Sequence, residues 1–206
     1  MALAHTILVV LMEEPNSGYG ISKRFEENVG CFWQASQQQI YRELGKMTDQ
    51  GWVSPTVIPQ DGKPDKKVYA ITATGRQEVL QWCTEPTAPT PIREDLLVRV
   101  LAAPYINRQV LIDEIQHRRQ THHQILSSYH DRDHWFRSQP SLSPEEQCRY
   151  FTLKRGISYE RSWVDWCDDM LDILKDPNFL QRSPQPLTDT SAEAAPERLE
   201  HKEPQH

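Results

Sequence analysis

Apolar residues recur at helical spacing from the start of the chain: Ala4, Ile7, Leu8 and Leu11 share a face, and the run stops at Pro15. After an NSG turn, Ile21, Phe25 and Val29 form a second stripe with Gly30 as its stop. A third helix is predicted in ASQQQIYRELGKMTDQG, where Ser36 and Gln39 have the spacing of a capping box, Ile40, Leu44 and Met47 lie on one face, and Gly51 ends it. The period then shortens to that of strands. Trp52–Ile58 and Lys67–Thr72 flank QDGKPD, in which Asp61-Gly62 is a strong turn signal. A helix from Thr72 sets Val79, Leu80, Trp82 and Cys83 at core spacing. Three short helices and a two-stranded hairpin describe a winged helix-turn-helix domain over residues 1–85.

TEPTAPTP cannot continue a helix, so residues 86–93 are predicted to be a stiff linker. Residues 94–180 are predicted to be an α-helical dimerisation domain, which could also hold an effector. There REDLLVRVLAA runs to Pro104, and a long helix from near Asn107 toward Arg137 repeats Leu111, Ile115, His122, Leu126, Tyr129 and Phe136. The next helix has Ser143 as cap, Pro144 at its first position and Glu146 completing a box. Its stripe is Phe151, Arg155, Tyr159, Trp163, Trp166, Met170 and Ile173. The polar, proline-dotted segment 181–206 is predicted to be disordered. The fold class is therefore mainly α with a small β-wing.

Composition refines this picture in a few places. The chain of 206 residues is 37% hydrophobic, and its mean hydropathy of −0.70 suits polar helices and a loose tail. ALAHTILVVLM is too short to span a bilayer and lacks the basic flank of a signal peptide, so a soluble, cytoplasmic protein is expected, with no membrane partner. Cys31, Cys83, Cys148 and Cys167 form no CxxC pair, which favours reduced, packed thiols. A formal charge of −6 argues against a general nucleic-acid binder, but phosphate binding depends on the local face.

With Ile40 turned to the core and about 100° per residue, Gln38, Arg42 and Gly45 of the third helix face outward, flanked by Gln39, Tyr41 and Lys46. A major groove offers partners to such groups: glutamine pairs with adenine, arginine pairs bidentately with guanine, and lysine or tyrosine holds phosphate. Gln37, Gln38 and Gln39 are thus candidate groove readers, with Gln39 in part committed to the cap. Lys63, Lys66 and Lys67 form a basic wing, diluted by Asp61 and Asp65. A plain solvated helix face and a plain solvated turn are the alternatives.

GYGISKRFEENVG, SQQQIYRELGKMTDQGWV and DGKPDKKVYAITATGRQEVL, in that order, resemble the PadR family of bacterial transcriptional regulators. PIREDLLVRVLAA and the long helices after it resemble the C-terminal region of the subgroup related to virulence-gene activators. The resemblance implies a homodimer, held mainly by C-terminal helices, that binds an inverted-repeat operator in double-stranded DNA. It places Tyr19, Ser36, Gln38, Tyr41, Arg42 and the wing lysines on DNA. It also implies that a small aromatic or other hydrophobic effector can act on some members.

The stripes of the long helices need apolar partners, because an isolated amphipathic helix is marginal in water. Packing on a second chain would bury Leu111, Ile115, Leu126, Tyr129, Phe136, Tyr159, Trp163, Trp166 and Met170 and match the two-fold symmetry of an operator. An intramolecular helical hairpin is the alternative, and Trp163 and Trp166 could instead stack on an aromatic effector. His117, His122, His123, His130 and His134 face several directions and no cysteine joins them, so neither a metal nor any other cofactor is assigned. GxSxG, P-loop and HExxH motifs are absent, and no enzyme is expected. The competing function is a winged-helix module for protein–protein contact, kept off DNA by the acidic total charge.

Overall fold

The computed structural model describes residues 2–25, 33, 35–62, 65–176 and 179. The chain forms two compact units, Met1–Ile92 with His122–Trp163, and Arg93–Thr121 with Val164 onward. Its elements are α1 (Ala2–Glu13), β1 (Asn16–Ser17), α2 (Gly18–Arg24), α3 (Gln37–Asp49), β2 (Val53–Ile58), β3 (Lys66–Ile71), α4 (Ala73–Trp82), α5 (Asp95–Leu101), α6 (Arg108–Ser138) and α7 (Pro144–Lys175), with a 3-10 turn at Ala103–Tyr105. The predicted contributions of Val29, Gly30, Cys31 and Lys63, and the tail 181–206, lie outside the described residues. None of the described helices is long and apolar enough to cross a membrane.

In the first unit α1 carries Ile7, Leu8 and Leu11 into a core that Ile21 and Phe25 of α2, Ile40, Leu44 and Met47 of α3, Val53 and Tyr69 of the sheet and Val79 of α4 complete. Full burial of each large aliphatic chain is worth roughly 1.5–3 kcal/mol, so this cluster decides how the short helices are rotated. The sheet is three-stranded and antiparallel in the order β1-β3-β2, where the sequence predicts a two-stranded hairpin. The added strand, β1, pairs Asn16 with Tyr69 and Ser17 with Val68. A two-residue strand is too short to alternate, which is why hydrophobic patterning misses it. Pro55 sits opposite Tyr69 on β2, an edge strand, where a missing N–H can face solvent. Beyond Val53, β2 is exposed throughout, so its outer part is held by the ladder to β3.

Thr72 fastens the wing to the helices. Its hydroxyl accepts from the Gly75 N–H at 3.0 Å as the cap of α4 and donates to the Gly51 carbonyl at 2.7 Å, while its own N–H donates to the Trp52 carbonyl at 3.0 Å. Gly51 itself has φ 71, the left-handed conformation that lets α3 stop and the chain turn into β2. The core expected of α4 is only partly realised: Val79 is buried and Trp82 half-buried, but Leu80 is 63% exposed and Cys83 is exposed. α1 is the main neighbour of this helix, with Trp52 and Ile71 beneath its first turn, so its buried face is narrow. His5 of α1, only 3% exposed, meets Glu78 at 3.1 Å and stacks on Trp82 at 4.6 Å. A buried polar ring needs such a partner, and these contacts dock α4 on α1.

The same unit contains α6 from His122 and α7 as far as Trp163, running antiparallel. Leu126, Phe136, Leu153 and Ile157 are buried there; Tyr150 stacks on Phe136 at 5.1 Å and donates to Asp133 at 2.9 Å. The predicted box at the start of α7 forms, with the Ser143 N–H donating to Glu146 at 2.8 Å and the Ser143 hydroxyl accepting from the Glu146 N–H at 3.2 Å. Glu13 at the end of α1 joins Arg24 of α2 at 3.1 Å and Arg149 of α7 at 2.6 Å. Arg24 also pairs with Glu14.

In the second unit Leu96, Leu111, Ile115, Val164, Cys167, Leu171 and Leu174 are buried. Glu94 accepts from the Leu96 N–H at 3.2 Å and takes both arms of Arg118 at 3.1 Å, which gives the REDLL run a structural role as cap and ion-pair anchor of α5. Asp168 accepts from Arg119 and holds that guanidinium's pKa above its ordinary value.

Two expectations change. The stripe Phe151, Arg155, Tyr159, Trp163, Trp166, Met170, Ile173 is not the buried face of α7; Leu153, Ile157, Val164, Cys167, Leu171 and Leu174 are. Helix α7 carries two apolar faces, and the aliphatic one fills the chain's own interior. Of the cysteines, Cys167 is buried as expected, but Cys83 and Cys148 are exposed. The core assignments are checked by making one chemical change in two places. Leu44→Ala, at a position with no exposure, should cost about 2–5 kcal/mol of stability, and Leu80→Ala should stay within about 0.5 kcal/mol in the same denaturant titration. Burial pushes the Cys167 thiol above its ordinary pKa, so in native protein iodoacetamide should label Cys83 and Cys148 and spare Cys167, as peptide mass mapping would read.

Candidate nucleic-acid interface

Helix α3 forms where a strong start signal meets a clear amphipathic period. Ser36 is its cap, accepting from the Gln39 N–H at 3.3 Å, and the Gln39 side chain accepts from the Ser36 N–H at 2.8 Å, so the predicted capping box closes. Ile40, Leu44 and Met47 are completely buried, which fixes the helix's rotation. Ser36, Gln37, Gln38, Gln39, Arg42, Gly45 and Lys46 are consequently exposed, and Tyr41 is 47% exposed. A side chain added at Gly45 would meet nothing within 4 Å, so this stretch of the helix is open to a close approach.

The candidates differ in how much of each side chain remains available. Gln39 is committed through its carbonyl oxygen to the cap, leaving Gln37 and Gln38 as the uncommitted amides of the run. Lys46 pairs with Glu43 at 3.0 Å, which offsets the positive charge of that flank. On the wing Lys66 and Lys67 are exposed, and the Lys67 ammonium lies 5.4 Å from the Tyr69 ring centroid, two residues along the same strand face. Tyr19, in the first turn of α2, is 63% exposed. Its neighbour Gly18 lies under the Tyr41 ring. That glycine is a residue the sequence pattern does not single out, although two glycines in the first turn of a helix, where they weaken it, are a signal that space is needed.

The nine residues expected at a dimer seam separate. Leu111, Ile115, Leu126 and Phe136 are between 0% and 8% exposed and packed inside the chain, so they have little surface to give a second copy. Tyr129, Trp163, Trp166 and Met170 are half-buried, and Tyr159 is 44% exposed. His122 is occupied: its Nδ1 meets the buried Glu160 carboxylate at 2.6 Å and its ring stacks on Trp163 at 5.1 Å. His130 is engaged by Arg161 at 3.3 Å. Among the described residues no three His, Cys, Asp or Glu side chains come together as a metal site.

Residues 7–81 match the transcriptional regulator PadR-like family, and residues 92–175 match the virulence activator alpha C-terminal family. The probable transcriptional regulator Rv1176c of Mycobacterium tuberculosis (strain ATCC 25618 / H37Rv) is 37% identical over 187 residues, covering 85% of this chain and 99% of the relative. The chain belongs to the PadR-like family of transcriptional regulators. Among solved structures, this PadR-like protein is similar to Bacillus subtilis PadR in complex with operator DNA, with a TM-score of 0.73 and 27% identity over 84% of this chain and 99% of that one. The same Bacillus protein has been solved with p-coumaric acid, at a TM-score of 0.68 and 26% identity over 84% of this chain and 99% of that one. The Vibrio cholerae virulence activator AphA aligns at a TM-score of 0.70 and 29% identity, covering 84% of this chain and 97% of its own. The PadR-like protein is accordingly a winged-helix transcriptional regulator, a family of regulators and not of enzymes.

The Gln39 assignment has a direct check. Gln39→Ala should lower stability by on the order of 1 kcal/mol through the lost box while leaving base preference intact, as thermal melting and a selection from random duplexes would show.

Proposed function

We propose that this regulator works as a homodimer that reads an inverted-repeat operator in double-stranded DNA, placing α3 in the major groove and the wing on the backbone. The observation that carries the proposal is the division of α3: Ile40, Leu44 and Met47 have no exposure, and Gln38, Arg42 and Gly45 face outward as a strip that starts in its first turn. In this arrangement Gln38 and Arg42 pair with base edges, Tyr41, Tyr19 and Ser36 hold phosphates, and Lys66 and Lys67 add sequence-independent attraction. Lys63 joins the candidates by sequence alone, and Lys46 contributes weakly because Glu43 pairs with it. The operator complex of Bacillus subtilis PadR supports the DNA role.

A second copy would pack on the aromatic face of α7, with Tyr159 central and Trp163, Trp166 and Met170 adding their half-buried surfaces, joined by Tyr129 of α6. Two-fold pairing of this kind matches a palindromic site. The Bacillus relative is a negative regulator, which supports repression by occupancy of a promoter, and its p-coumaric acid complex makes small aromatic acids the first effector class to test.

Arg42→Ala should cost about 1–3 kcal/mol of operator binding in a gel-shift titration, with relaxed preference at one base pair. Lys66→Ala should weaken selected and mixed duplexes alike and reduce the salt slope by about one. Sedimentation of the full chain as a single species of monomer mass, with no preference for any duplex over competitor, would overturn the proposal.

A further inference from the structure

The first turn of α2 contains two glycines, Gly18 and Gly20, and the backbone does not ask for the first of them. Among the described residues only Gly51 and Gly62 are glycines with positive φ. What Gly18 provides is room. It is buried, and a methyl group there would lie 2.6 Å from Cζ of Tyr41 and 2.9 Å from Cδ1, overlapping the ring edge. Cζ is the carbon that bears the hydroxyl, so the phenol end of an α3 side chain rests on the opening residue of α2. The rest of the ring is open to solvent, at 47% exposure for the residue.

The platform beneath the ring is itself braced. Ser17 caps α2 by accepting from the Gly20 N–H at 3.1 Å, and Asn16 accepts from the Ser17 N–H at 2.9 Å with its side chain lying over Gly20, where a methyl would come within 2.7 Å of Cγ. Asn16 and Ser17 are also β1, paired with Tyr69 and Val68 of the wing. The seat is thus tied to α2 and to β3 at once.

We propose that Gly18 is a positioning residue for DNA binding: the side chain it lacks is the seat that holds the Tyr41 phenol in place toward a backbone phosphate of duplex DNA. A tyrosine held in this way loses little rotamer freedom when it donates its hydroxyl to phosphate, whereas a mobile one must be ordered on binding. This inference rests on the DNA-reading role of α3 proposed above. Gly18→Ala leaves the hydrophobic core untouched and displaces the far end of one side chain, so it moves Tyr41 and spares the fold.

The experiment compares full-length wild type, Gly18→Ala, Tyr41→Ala, Tyr41→Phe and the Gly18→Ala/Tyr41→Ala double variant. Each is titrated by fluorescence anisotropy on a duplex recovered by selection with wild type and on a mixed-sequence duplex, with thermal melting as the fold control. Gly18→Ala and Tyr41→Phe should each bind both duplexes roughly tenfold more weakly, the scale of a hydrogen bond to a charged group. In the Tyr41→Ala background Gly18→Ala should cost nothing further, because the ring it would strike is gone. Equal losses in the two backgrounds, or wild-type affinity for Gly18→Ala, would overturn the inference while wild-type binding preserves the proposed function. If Gly18→Ala fails to melt cooperatively, Tyr41→Phe decides: it keeps the ring seated and removes only the hydroxyl, so unchanged affinity refutes the phosphate contact. No binding of either duplex by wild type refutes the DNA role and this inference together.

Discussion

The rotation of α3 about its own axis is held by three side chains, Ile40, Leu44 and Met47, each without solvent exposure in a core built around α1. At about 100° per residue, a slip of one position would swing Arg42 and Gln38 from outward-facing to flanking and bring a polar group inward. Burying an unpaired amide or guanidinium costs several times what the slip could recover, so a single orientation survives. The outward strip of α3 is therefore a by-product of its inward strip. Its chemistry can vary freely as long as the three apolar positions do not, which is how one fold can serve many recognition sequences.

Polar joints tie the elements around this helix together. Thr72 links the end of α3, the start of β2 and the first turn of α4 with a single hydroxyl and one backbone N–H. Glu13 gathers Arg24 from α2 and Arg149 from α7 on its two oxygens, so the ends of three helices meet at one carboxylate. Partly exposed ion pairs contribute little to stability singly, on the order of 1 kcal/mol or less, but they define direction. Glu13 thereby ties the start of α7 to the ends of α1 and α2. The His5–Glu78 contact, with Trp82 stacked on the imidazole, does the equivalent for α4.

The two apolar faces of α7 divide their work. Leu153, Ile157, Leu171 and Leu174 close the interior of the chain, and the aromatic face with Phe151 and Tyr159 is left toward solvent at 68% and 44% exposure. Exposed aromatic surface at helical spacing is costly to keep in water unless something covers it, and a helical dimer provides cover by the same residues from both chains. In the proposed dimer the spacing of the two reading helices would be set by protein packing.

Much of this was legible in the order of residues. The capping signal at Ser36, the period of Ile40, Leu44 and Met47, the Asp61-Gly62 turn and the Ser143–Glu146 box are local, since each depends on neighbours within one helical turn or one loop, and each determines an element without reference to the rest of the chain. Partner choice is not local. Periodicity shows that α7 has apolar stripes, but whether Leu153 or Phe151 turns inward depends on what the facing part of α6 presents. Hydropathy could not separate Leu80 from Val79, because the tertiary neighbours of α4, chiefly α1, decide which side is covered. The β1 strand is too short to leave a pattern, and His5 finds Glu78 across 73 intervening positions. The sequence by itself determined the helices, their caps and the composition of the outward strip of α3; the tertiary structure alone decided which faces are spent inside the chain, because burial is a property of pairs of surfaces and a sequence shows one surface at a time.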